Sequence, residues 1–257
     1  MCLIVFAWET HPDYRLILAA NRDEFHGRPA QPLHWWPDLP IVLAGRDLQA
    51  GGTWLAASRN GRFATVTNYR EGQRPRAGLR SRGDLVADFV SGDQPPGDYL
   101  RSLEGERYAG FSLLISDGEE LWCGSNRGDA PALLESGIYG LSNAALDTPW
   151  PKLVRSRARL KGLLENDRVN ETELLRLMAD RTPAAAHEID AGDMSFELAR
   201  AITAPFIVSP DYGTRCTSTL LWSAAGKVAL TEYRFGPSGE ADGDARYTYD
   251  VDPDDRV

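Results

Sequence analysis

The sequence predicts an α+β fold built largely from antiparallel hairpins. Three observations carry that reading. Turn signals join apolar, strand-like runs near residues 12, 60, 117 and 225. Helix-forming stretches with recognisable caps cluster between those hairpins. No Gly/Ser/Pro-rich linker and no internal repeat divides the 257 residues, so the chain is expected to form one domain over 1–257. Several hairpins with helices between them suit two stacked sheets covered by helices.

The elements follow in order. Leu3-Ile4-Val5-Phe6-Ala7-Trp8 is a continuous apolar run, as in a strand covered on both faces. Tyr14 to Ala20 is a second such run. His11-Pro12-Asp13-Tyr14 between them has Pro at the second position of a type I turn. A turn closed by His11 and Tyr14 pairs residues whose numbers sum to about 25, which sets Cys2 opposite Asp23. Thr53 to Ser58 and Arg62 to Asn68 flank Asn60-Gly61, a type I′ hairpin signal that pairs Thr53 with Asn68. Ser81, with Asp84 three residues on, predicts a helix to about Val90. Phe111 to Ser116 and Glu120 to Cys123 form a hairpin turned at Asp117-Gly118. Ile138 to Leu141 is a short strand. Trp150 to Leu164 and Asn170 to Asp180 are helices, the second capped by Asn170. Arg215 to Trp222 and Lys227 to Arg234 form a late hairpin. The acidic segment 236–257 reads as weakly structured.

Composition bounds the function. A formal net charge of −9 argues against sequence-independent nucleic-acid binding, which needs a basic surface. Cys2, Cys123 and Cys216 have neither metal-ligand nor disulfide-framework spacing, which favours a reducing compartment. The first apolar run is too short for a signal peptide or a stable membrane span, so the expectation is a cytoplasmic protein with no bound metal.

The chemistry centres on Cys2. Removal of Met1 makes it the N-terminal residue, carrying a thiol nucleophile and an α-amine on one residue. Unperturbed, these titrate near about 8.5 and about 8. The tetrad Asn21-Arg22-Asp23-Glu24 returns beside it on the second strand. An N-terminal Cys, a strand, a hairpin return and Asn-Arg-Asp-Glu together resemble the NRDE family, also called the transport and Golgi organisation protein 2 family. Gly51-Gly52-Thr53-Trp54, Thr67-Asn68-Tyr69-Arg70, Gly140-Leu141-Ser142-Asn143, Asp147-Thr148-Pro149-Trp150-Pro151-Lys152 and Tyr212-Gly213-Thr214-Arg215 look like further blocks of that family, over residues 1 to about 235.

That family in turn resembles N-terminal-nucleophile hydrolases of the bile salt hydrolase and penicillin V acylase group. The resemblance implies a four-layer αββα sandwich of two mainly antiparallel sheets. It also implies a catalytic set: Cys2 as nucleophile and base, Asp23 beside it, Asn68 and Asn143 near the oxyanion, and Arg215 on a late strand. Those enzymes carry an Arg just before an Asn-x-Asp run. This chain has Ala20 there and its Arg inside the run as Arg22, displaced by two residues, or about 7 Å along a strand.

Two function classes stay open on these residues. One is a cysteine amidohydrolase or acyltransferase acting on an amide or thioester of a small amphipathic molecule. The other is a non-catalytic carrier in the same cleft, since members of the family are linked to haem trafficking and to lipid or acyl-CoA homeostasis. Haem is then a ligand rather than a resident cofactor, with His26, His34 or Cys2 as candidate iron ligands. For ligand recognition the sequence offers Arg22 and Trp54, and the basic run Arg70, Arg74, Arg76, Arg80 and Arg82 for carboxylates or phosphates. Each has a bland alternative: Asn68 and Asn143 as strand-end turn residues, Trp54 as core and the arginines as a solvated loop.

Overall fold

The computed structural model describes residues 2–71, 77–189 and 195–255. Thirteen strands and five α-helices are found in them. The strands are β1 (Cys2–Trp8), β2 (Tyr14–Phe25), β3 (Ala30–Trp35), β4 (Val42–Asp47), β5 (Leu55–Ser58), β6 (Phe63–Asn68), β7 (Phe111–Ser116), β8 (Leu121–Ser125), β9 (Ala132–Leu133), β10 (Gly137–Ser142), β11 (Tyr212–Ser223), β12 (Lys227–Phe235) and β13 (Ala241–Asp250). The helices are α1 (Arg82–Ser91), α2 (Pro96–Ser102), α3 (Pro151–Glu165), α4 (Glu171–Met178) and α5 (Phe196–Ala201).

The strands form two antiparallel sheets. One runs β10-β1-β2-β11-β12-β13, the other β3 through β9 in chain order. Period-two alternation splits β1 between two cores. Ile4, Phe6 and Trp8 meet Leu43, Leu55 and Phe63 of the other sheet. Leu3, Val5 and Ala7 meet Leu153 and Leu160 of α3 and Leu174 and Leu177 of α4. A third core packs Leu85 and Phe89 of α1 against Val66 and Leu113. The layers are therefore helix, sheet, sheet, helix, as expected. Burial on both faces explains why β1 is apolar without interruption.

The caps read from the sequence are present: Ser81 accepts from the Gly83 amide and Asn170 from the Glu173 amide. Both early hairpins slip by one residue from the expected register. β1 pairs Cys2 with Arg22 and Trp8 with Leu16, so partner numbers sum to 24. The turn closed by His11 and Tyr14 gives way to a five-residue loop. The Glu9 amide reaches the Arg15 carbonyl at 2.8 Å with Glu9 at φ 49°, and His11 Nδ1 accepts from the Asp13 amide. Likewise β5 pairs Leu55 with Thr65, and Ser58 bonds Arg62 around a three-residue loop. Gly61 takes φ 81° there, and the Ser58 hydroxyl donates to the Asn60 side chain.

Segment 236–257 is the main correction to the expected elements. Residues 241–250 form β13, hydrogen-bonded along β12. Its alternate residues Ala245, Tyr247 and Tyr249 pack on the inter-sheet core, and Trp35 meets both tyrosines edge-on. Only the outward residues are acidic or polar, so the segment reads as a tail when averaged.

Candidate active site

The site lies where β1 begins. The observed register sets a row across four strands: Cys2 beside Arg22, Arg22 beside Cys216, and Cys216 beside Arg234. All four residues line one cleft of about 600 Å³. The one-residue slip thus puts Arg22, not Asp23, directly across from the cysteine. Ala20 pairs with Ile4 two positions further in, buried in the inter-sheet core. An arginine there would have to bury its charge among apolar side chains. Arg22 lines the cleft, and its positive charge acts on the Cys2 thiol.

The tetrad divides its labour. Asn21 faces the helical layer: its Nδ2 donates to the Met178 and Pro205 carbonyls at 3.0 and 2.8 Å, and its Oδ1 accepts from Thr217 Oγ1 at 2.6 Å. Asn21 is therefore a clamp between sheet and helices. Arg22, Asp23 and Glu24 line the cleft. Arg22 lies 4.0 Å from Glu24 and 3.6 Å from Asp47, whose carboxylate is held by Arg28 at 2.6 Å. Asp23 is 2 % exposed, and its Oδ1 accepts from Thr214 Oγ1 at 2.7 Å. Burial raises its pKa, against the opposing pull of Lys152 and the Thr214 bond.

A β-bulge in β11 at Arg215, between the Thr214–Asp23 and Cys216–Arg22 pairs, turns the arginine into the cleft. Its Nη1 donates to the Phe25 and Arg28 carbonyls. From the opposite sheet Asn68 reaches the cleft at the end of β6, and Trp54 lines it just before β5. Arg82, the first residue of α1, also lines it and donates to the Gly110 carbonyl at 3.1 Å. No acid forms an ion pair with Arg82, Arg215 or Arg234 among the described residues.

Asn143 falls elsewhere. Its Nδ2 donates to the Asn68 backbone carbonyl at 3.0 Å, and its own carbonyl accepts from the Arg70 amide. Ser142, beside it, donates to the Cys2 carbonyl at 2.8 Å. These bonds tie the end of β10 to β1 and β6. Asn143 and Arg70 line a second, smaller cavity rather than the cleft. Arg74 and Arg76 lie outside the described residues. Neither His26 nor His34 lines the cleft: His26 Nε2 contacts the Ser209 carbonyl and His34 Nδ1 the Pro32 carbonyl. Of the three candidate iron ligands only Cys2 faces it.

Sequence reasoning missed Cys216, Glu232 and Arg234. Glu232 accepts from the Leu33 amide at 3.0 Å and from the Cys216 thiol; burial raises both acids, Cys216 strongly. Their signal is the β2–β11–β12 register, which carries the row beyond Arg22. Burial also raises the Cys2 thiol, against nearby positive charge that includes Arg22.

A model of the family described as Transport and Golgi organisation 2 matches residues 1–237. The chain belongs to that family. It is 37% identical over 255 residues to the bovine transport and Golgi organization protein 2 homolog, spanning 90% of this chain and 92% of that one. The human homolog is 35% identical over the same spans, and the Drosophila melanogaster protein 38% over 186 residues, 64% of this chain and 65% of that one. Among solved structures, a cysteine-to-alanine mutant of the conjugated bile acid hydrolase from Clostridium perfringens superposes over 100% of this chain and 95% of its own. The TM-score is 0.55 at 8% identity, a likeness of fold. This family member thus has an N-terminal-nucleophile hydrolase-like fold. No helix among the described residues is long and apolar enough to cross a membrane.

Proposed function

We propose that the cleft is the active site of an N-terminal-cysteine amidohydrolase or acyltransferase acting on an amide or thioester of a small amphipathic anion. The observation that carries this reading is the direct pairing of Cys2 with Arg22 at the cleft wall, with Asp23 next in sequence and Asn68 entering from the other sheet. Burial holds the thiol protonated, so attack needs a base at the sulfur itself. With Met1 removed, the Cys2 α-amine takes the thiol proton and the sulfur adds to the substrate carbonyl. Arg22 and Asn68 are the donors for the resulting oxyanion. Collapse breaks the C–N or C–S bond, and the leaving group takes the proton back from the α-ammonium. Water or another acceptor then releases the acyl group from Cys2.

The cleft also favours an anionic substrate. Seven arginines against five carboxylates line it in a protein of net charge −9, while Trp54 and Val66 supply an apolar wall. The same charge supports a second reading, a carrier of haem or of a lipid or acyl-CoA that uses the cleft without chemistry. The three free cysteines support a reducing location, the cytoplasm. Cys2→Ala separates the two readings. On the catalytic reading it abolishes thioester or amide turnover while anionic-ligand binding, which Arg82→Ala weakens, is kept. Turnover that survives Cys2→Ala would reject the catalytic assignment.

A further inference from the structure

Ser142 and Asn143 line a second cavity, of about 70 Å³. Lys152, Trp150, Arg70 and Glu188 also line it. Lys152 is 5 % exposed, yet among the described residues its ammonium has one acceptor, the Ile202 carbonyl at 3.2 Å. Among the described residues no carboxylate lies within the 4.0 Å ion-pair distance of it. Trp150 Nε1 is buried and has no acceptor among them either. Glu188 is turned to its own chain, accepting from the Ala185 amide at 2.9 Å. The cavity also meets the start of α3, a 15-residue helix with no acid in its first turn and no side-chain cap. Its positive end is therefore met by a lysine instead of the usual carboxylate.

A buried ammonium without a close counter-charge is costly, and neutral water does not balance it. Burial lowers the Lys152 pKa, and Asp23, which makes no ion pair with it, opposes that only in part, so an anion in direct contact is what would hold the ammonium charged. We propose that this cavity binds a small monovalent anion, of the chloride or formate class, between Lys152 Nζ, Trp150 Nε1 and the N-terminus of α3. Size is compatible with this choice: about 70 Å³, against about 600 Å³ for the main cleft, suits an anion of a few atoms. The inference is independent of Cys2 chemistry. The anion would fix the 142–152 connection, whose Ser142 and Asn143 hold the Cys2 and Asn68 carbonyls.

The test uses the full-length protein exchanged into sodium gluconate, a bulky and weakly coordinating counter-ion. Titration calorimetry with sodium chloride, bromide and formate should give saturable one-to-one binding, while sulfate should give none. Trp150→Phe, which keeps the ring and removes the donor, should weaken binding at least tenfold, and Lys152→Met more. If Lys152→Met does not fold, Trp150→Phe alone decides. Crystals grown with bromide should show an anomalous peak beside Lys152 Nζ. An empty or water-filled cavity at saturating bromide, or unchanged affinity in a folded Trp150→Phe protein, would overturn the proposal.

Discussion

Replacing Asn21 with alanine tests whether the first residue of the tetrad serves the fold rather than the cleft. The Asn21 amide makes three buried hydrogen bonds, two to main-chain carbonyls on the helical side and one with Thr217. Alanine leaves the Met178 and Pro205 carbonyls without that donor and Thr217 without its acceptor. Each loss costs about 1–1.5 kcal/mol, so the sum is about 3–5 kcal/mol. Typical domains have about 5–15 kcal/mol in total, so the variant stays folded but loses a large share of its stability. At about 2–4 °C per kcal/mol, the midpoint falls by about 10 °C. Urea unfolding followed by tryptophan fluorescence gives the free energy. Arg22→Ala is the contrast and should stay within about 1 kcal/mol, because Asp47 and Glu24 both keep Arg28. An Asn21→Ala protein within about 1 kcal/mol of the parent would refute the clamp.

Two further outcomes follow from the site's electrostatics. Cys2 and Cys216 both border the cleft, and burial raises both thiols. Cys216 goes far above the ordinary range and Cys123 up to about 12, while positive charge opposes the rise at Cys2, so iodoacetamide should label Cys2 first in a peptide map. Equal labelling of the three would count against Cys2 as nucleophile. Burial tends to raise Asp47, but the Arg28 bond and the Ala50 and Gln49 amides outweigh it and hold it below the ordinary carboxylate range. Its contribution is therefore fully present above the unfolded value near 3.9 and is lost as pH falls through the lower folded value. Asp47→Asn should cost about 1 kcal/mol near pH 7, with the difference from the parent shrinking below pH 4 in urea titrations. A difference that grows on acidification would reverse the sign of this account.

Particular residues show how far the sequence could be read. The apolar run of β1, the Ser81 and Asn170 caps and the Asp117-Gly118 turn are local signals, and they placed their elements correctly. Register was harder, because it depends on loop length. Pro12 and Asn60-Gly61 suggested two-residue turns, but side-chain bonds from His11 and Ser58 stabilised loops of five and three residues. That single-residue shift decides whether Arg22 or Asp23 is the cross-strand partner of Cys2. β13 was hidden because its acidic outer face dominates its composition. Asp23 was a candidate from the hairpin spacing as well as the family resemblance, Asn68 and Arg215 from the resemblance, and all three line the cleft. Cys216, Glu232 and Arg234 join them only through non-local strand pairing, which no short motif records.

The central claim is that Cys2 is an N-terminal nucleophile. Intact-mass and peptide mass spectrometry of the cell-made protein, quenched during incubation with thioester and amide acyl donors, tests it most directly. The account predicts that Met1 is absent and that the mass of one acyl group appears on the peptide beginning at Cys2 and is missing from Cys2→Ala. A retained Met1, or no adduct with any donor alongside tight stoichiometric haem binding by its Soret shift, would contradict it and leave the cleft to a carrier.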